Sequence, residues 1–501
     1  MIRDVKALLY DVYTDEFGLL PTNVSIKPVH IANGLGRALA GANYKSDALS
    51  QFLRRTVKDQ KAQVQRERHS NGNILASYPL AFVGRDGADV DQDKLSTLRT
   101  LAEGVLATDG AVFSDSAMSS YTLSNDRLLS RDISDMRCGA FLASLLTAGR
   151  DGDAAEHIRF LLKSDQDPWS TLALPMSQYA ELLPLSPGTE EALRTTHSSM
   201  RIDVDGVLES RTLRILRSSI DRLARFDHGH GSKLNSLRRM VTFSCFAIHV
   251  HLISRLEAVY AGKPQPPIVL DMFDGKRTSI RNASRASVRA AGDSLEALVT
   301  RRFRERVSQI AVAADPEEII TGIADAKVRA LVERGYEAYG HGGNATPDEA
   351  LSEALWQAAM TVANHPVEFL TELGRRAGYL VPWSNKGQGG KLQKRYGLTT
   401  EFIETLVAAT VDPDEPLDFP EFLDRLRSYY GIVAGQRTDD HIIRRNNIND
   451  GQFGTPTSVS EEDLRLNVEA FRRAVLEAGY AKAYADGQTV VTTNPESLAI
   501  L

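Results

Sequence analysis

The sequence predicts a mainly α-helical, multidomain protein with little β-structure, on three observations. Apolar residues recur at helical spacing through most of the chain, strand-like stretches are confined to Pro267–Asp271 and to a hairpin signature around Asp486-Gly487, and 501 residues exceed what one core organises. The chain divides into a mainly helical region, 1–200, and a central helical domain, 201–315, with one strand and a basic face. A helical segment with a basic linker, 316–390, and a terminal block, 391–501, complete it.

Composition narrows the function classes. With 42% hydrophobic and 25% charged residues the chain sits at the globular average, which excludes a fibrous or wholly disordered protein. Cys138 and Cys245 are the only cysteines and lie far apart, giving neither a disulfide framework nor a paired-cysteine zinc site. The start, Met-Ile-Arg-Asp-Val-Lys, places charge where an export signal needs an apolar run, and the longest apolar window, Met240 to Ile253, is interrupted by Ser and His. A cytoplasmic protein without membrane contact is therefore expected. A net charge of −6 excludes indiscriminate nucleic-acid binding and leaves only a local patch for it.

The elements follow in order. Before residue 200 the segments Lys94–Leu106 and Ala154–Leu162 have helical spacing. Turn clusters stand at Gly84–Gly87, Asp109-Gly110 and Gly149–Gly152, and Pro184 and Pro187 punctuate a boundary. From Val207 to Phe226, Leu208, Leu213, Leu216, Ile220 and Leu223 mark one apolar face of a long helix. The turn Asp227–Lys233 ends it, and a second, more apolar helix from Leu234 to Tyr260 forms its antiparallel partner. An isolated strand at Pro267–Asp271 leads into arginine-rich helices reaching Ala314. A helical segment, Pro316–Gly374, is broken at Gly340–Asn344 and followed by the glycine- and lysine-bearing linker Pro382–Lys391.

The densest chemistry lies between Lys276 and Arg306, where nine basic side chains face three acidic ones. Arg281, Arg285 and Arg289 recur every four residues, stacking three guanidinium groups on one helix face. Like charges so spaced repel, so they require either an anionic ligand such as nucleic-acid phosphate or carboxylates brought by the fold. Lys276 and Arg277 extend this face. Asp271 and Asp274 offer a second reading, a metal-dependent nuclease, against the simpler one of an Asp-Gly turn with Asp271 as a satisfied polar group. His228, His230 and His249 with Asp227 and Cys245 could be drawn as a metal site. However, His249 and His251 point some 200° apart on a helix, roughly, and the loop lies about three turns or more from Cys245, so core and cap roles are expected. Gly229–Lys233 lacks P-loop spacing, and Ser232 as an N-cap explains it. No catalytic residue, metal or cofactor is assigned.

In the terminal block, Thr399 or Thr400 caps a helix through Thr410, and Asp418 caps one ending at Gly431. Ser460-Glu-Glu-Asp463 starts a third helix, and Asp486-Gly487 turns a hairpin. Three helices closed by a hairpin resemble the winged-helix fold, with a long insertion at Gly435–Thr457. The resemblance implies either a helix in a DNA groove with wing contacts to phosphate, from Arg465, Arg472, Arg473 and Lys482, or a protein-docking block with ordinary surface arginines. A large helical body with such a block resembles accessory proteins of bacterial anti-phage and restriction systems. That likeness implies a non-enzymatic DNA-facing or adaptor subunit with protein partners in a larger complex, the alternatives being the nuclease and a pure interaction scaffold.

Overall fold

A computed structural model describes residues 2–22, 24–40, 135–149, 152–163, 209–230, 232–259, 265–312, 315–340, 346–363, 366–382, 394–436, 439 and 459–494. The helical spacing at Lys94–Leu106, the turns at 84–87 and 109–110, and the Pro184–Pro187 boundary lie outside these residues. So do the linker from 383 onward and most of the 435–457 insertion. The elements are α1 (Val5–Phe17), α2 (Pro28–Ala40), α3 (Cys138–Thr147), α4 (Asp153–Lys163), α5 (Arg211–His230), α6 (Lys233–Val259), β1 (Ile268–Val269) and α7 (Thr278–Ala311). There follow α8 (Pro316–Thr321), α9 (Ala326–Gly340), α10 (Pro347–Val362), α11 (Pro366–Ala377), β2 (Leu380–Pro382) and β3 (Lys394–Tyr396). The chain continues through α12 (Thr400–Thr410), β4 (Leu417–Asp418), α13 (Phe419–Tyr430), β5 (Ile432–Val433), α14 (Glu461–Glu477), β6 (Ala481–Ala483) and β7 (Thr489–Val491). The protein is mainly α with little β-structure, and no helix among the described residues is long and apolar enough to cross a membrane.

Two compact units emerge, each discontinuous in sequence. One takes Met1–Ile26, Phe246–Ile403 and Leu417–Val491; the other takes its described residues from Lys27–Cys245, Glu404–Pro416 and Thr492–Leu501. In the first, α7 runs unbroken for 34 residues where the sequence suggested several arginine-rich helices. Its length follows from a continuous stripe of Ile280, Ala283, Val288, Ala291, Leu295, Leu298 and Phe303, all buried, with no proline to interrupt it.

The strand at 267–271 is not isolated, a second correction. β1 pairs in parallel with β5, Ile268 opposite Ile432, and Leu270 bridges to Tyr396 on its other side, where β3 pairs antiparallel with β2. A two-residue strand survives in the core because helices supply what the ladders cannot. Ser287 of α7 accepts from Val269 N (3.2 Å) and donates to the Pro267 carbonyl, while Ser284 Oγ accepts from Tyr396 N (2.8 Å). A separate antiparallel sheet orders its strands β4-β7-β6, with β6 and β7 joined by the Asp486-Gly487 turn. Asp418 precedes α13 but makes no side-chain cap; its carboxylate instead accepts from Gln488 Nε2 at 2.6 Å, because Asp418 is itself paired with β7. Thr399 does cap α12, accepting from Phe402 N at 3.2 Å, and Ser460 caps α14, accepting from Asp463 N at 3.1 Å.

In the second unit α5 continues through Asp227 to His230, past the stop expected at Phe226. Its arginines dock neighbours: Arg222 donates to the Ala409 carbonyl and faces Asp412 at 3.5 Å, and Asp221 of the same helix accepts from Ala154 N at the start of α4 (2.9 Å). Helices α2 and α3 cross at bare backbone. A Cβ on Gly139 would overlap the Gly34 carbonyl carbon and the Leu35 nitrogen, and one on Gly34 would overlap the Asp135 carboxylate, which accepts from Gly139 N at 3.0 Å.

Gly139→Ala is therefore expected to lower stability by about 1–3 kcal/mol, since backbone cannot yield as a side chain can. Urea unfolding checks this; an unchanged midpoint would mean the two helices do not touch at these glycines.

Candidate nucleic-acid interface

The arginine run of α7 meets its countercharges in space. Arg277 donates through Nη1 to Asp463 Oδ1 at 2.7 Å, and Ser279 Oγ donates to the other oxygen at 2.5 Å. These bonds, the Ser279 hydroxyl first and the Arg277 guanidinium second, hold the Asp463 carboxyl below the usual range. The Arg277 guanidinium also lies over the Phe273 ring, 5.1 Å from its centre. Arg301 pairs with Glu305 (2.8 Å), Arg302 with Glu305 and with Glu16 (both 2.9 Å), Arg304 with Glu353 (2.5 Å), and Arg306 with Asp15 (3.6 Å). Glu16 is almost fully buried and is held by Arg255 as well, at 2.9 Å. The carboxylates missing from the local sequence thus arrive from α1, α10 and α14.

The predicted row of three differs along its length. Arg281 is half-buried and donates to the Gly275 carbonyl at 3.3 Å, Arg285 is half-buried, and Arg289 is exposed with Asp293 at 3.9 Å. Lys276 is exposed beside them. Helical spacing places the three on one face, but they do not share one degree of access to solvent.

On α14 the pattern repeats locally. Arg465 grips Glu462 at 3.1 and 3.0 Å, and Arg472 grips Glu469 at 2.9 and 2.7 Å while donating to Thr489 Oγ1 at 2.9 Å. Arg473 is exposed, and Lys482 on β6 sits 5.2 Å from the Tyr484 ring centre. Over Glu461–Glu477 three arginines stand against five carboxylates, 3 − 5 = −2, with Glu461, Glu462 and Asp463 crowding the first turn. Those acids complement the helix dipole and repel phosphate. The buried face of α14 is Leu464, Asn467, Phe471 and Val475. Asn467 is used to nearly its full capacity: Nδ2 donates to the Leu270 and Ala434 carbonyls (3.0 and 2.7 Å) and Oδ1 accepts from Met272 N (2.9 Å). The sequence signal for it is a lone amide on an otherwise apolar helical stripe.

Asp271 and Asp274 form a turn, as the simpler reading expects. Positive φ at Asp274 (53°) and Gly275 (74°) bends the chain back on itself. Asp271 accepts from Phe273 N (2.9 Å) and Gly275 N (3.1 Å) and faces Arg395 at 3.4 Å; Arg395 also reaches Asp274 at 2.5 Å. Burial raises the Asp271 carboxyl, opposed by Arg395 and the two amides. Both Asp271 oxygens are engaged inside the protein, a poor start for a metal ligand. Arg395 escapes sequence reasoning because its partners stand more than a hundred residues away.

The histidines divide between the two units. His249 Nε2 is 3.0 Å from the Tyr396 hydroxyl, amid the rings of Phe246 and Tyr379. His251 Nε2 lies 3.0 Å from the Phe17 carbonyl, which accepts, so that nitrogen carries the proton. Asp227 accepts from Arg239 Nε at 2.9 Å, and Arg239 also holds Glu404 at 2.7 Å. His157, with no role in the sequence reading, meets Ser236 Oγ at 2.9 Å and the His228 ring edge-on. The His230 side chain lies outside the described residues. Among the described residues no three His, Cys, Asp or Glu groups come together to hold a metal ion.

No protein-family model matches the chain, and neither a curated protein nor a solved structure is similar to it.

Asn467→Leu should cost at least about 2 kcal/mol, because it strands two carbonyls and one amide that are otherwise satisfied. A urea midpoint within error of the parent would remove Asn467 from the list of supports. A pH dependence is also expected. Burial lowers His249 to about 3 and His251 to about 4, against roughly 6.5 in the unfolded chain. Below pH ~6.5 the unfolded state takes up protons that the folded state refuses, so stability present above that pH drains away as pH falls toward the folded values. Urea midpoints measured from pH 7 to 5 should decline, and less steeply in His249→Gln. Parallel declines in the two proteins would exonerate His249.

Proposed function

We propose that the chain is a non-enzymatic adaptor subunit of a bacterial multi-protein assembly, of the anti-phage or restriction kind its sequence resembles. Its terminal winged-helix-like block serves in protein docking rather than groove reading. The observation that carries this reading is charge balance. Arg277, Arg301, Arg302, Arg304, Arg306, Arg465 and Arg472 each lie within ion-pair distance of a carboxylate of the same chain. A DNA-facing surface gains affinity by releasing counterions from phosphates, and arginines already neighboured by carboxylates of the same chain present a weaker positive potential for that exchange. The winged-helix comparison draws on the sheet order β4-β7-β6 and on the β6–β7 hairpin beside α14, although β5, paired with β1, stands between α13 and α14 along the chain. The helix that would enter a groove is α14, and its net charge and acidic first turn favour a protein partner. The nuclease alternative draws no support from Asp271, whose oxygens are occupied by backbone amides and Arg395.

Tagged at its native locus, the chain should co-purify in fixed stoichiometry with the products of adjacent genes after nuclease treatment. Recovery of the chain alone would sink the adaptor. In gel-shift titrations at ~50 mM salt, single- and double-stranded DNA should run unretarded. Retardation that weakens steeply with salt, and further in Arg281→Glu/Arg285→Glu, would replace the adaptor with the DNA-facing reading. Mg²⁺-dependent cleavage lost in Asp271→Ala would replace it with the nuclease.

A further inference from the structure

We draw no further inference here: the strongest candidate, the basic start of α7 around Lys276, Arg277 and Arg281, is a helix N-terminus with no second feature that points to a ligand, and the Asp463 carboxylate of α14 already answers its charge.

Discussion

A short buried strand and the chain that flanks it have polar backbone groups on both edges, and each must find a partner or cost about 1–3 kcal/mol. For the segment 267–272 those partners come from four directions. Ile268 N and Leu270 N donate to Gly431 O and Val433 O, Asp271 N to Tyr396 O, and Val269 N to Ser287 Oγ. Asn467 then takes the Leu270 carbonyl and the Met272 amide. The first unit is organised by this requirement: α7, α14, β3 and β5 are each held by at least one of these bonds. The apolar residues Val269, Ile280, Ala283, Val433 and Leu464 fill the space the bonds define.

The same logic governs charge. Asp271 and Arg395 are almost wholly buried, and such a pair stands only because two backbone amides and Asp274 share the load. Around Arg302, a buried glutamate from α1 joins arginines from α6 and α7 into one network, so the cationic run on α7 doubles as the docking site for the first helix. A surface rich in arginine by sequence is therefore partly engaged in pairs with carboxylates of the same chain, most of them still at the surface.

Much of the helical framework is legible in the sequence because its signals are local. Ser460 before Asp463, Thr399 before Phe402, Gly431 after Tyr430 and the Asp486-Gly487 turn each declare a boundary within a few residues. The Asp274-Gly275 turn is legible for the same reason. What stays hidden is whatever depends on a distant partner: the strand paired with β1, the carboxylates of Asp15, Glu16 and Glu353, and Asn467 as a clamp. Nothing local to Arg277 says that its countercharge is Asp463, 186 residues on. Asp418 misleads in the opposite way, since a sound capping signal yields to β-pairing and to Gln488.

The Asn467 clamp has a consequence for biosynthesis. Its bond to Leu270 spans 197 residues, so a chain emerging from the ribosome exposes an incomplete strand until that intervening length has been made. At about 5–20 residues per second this leaves roughly 10–40 s in which β1, still without α14, offers open backbone and apolar side chains. The first unit completes itself only after α14 has been made, a folding order that exposes the nascent chain to aggregation and to chaperones.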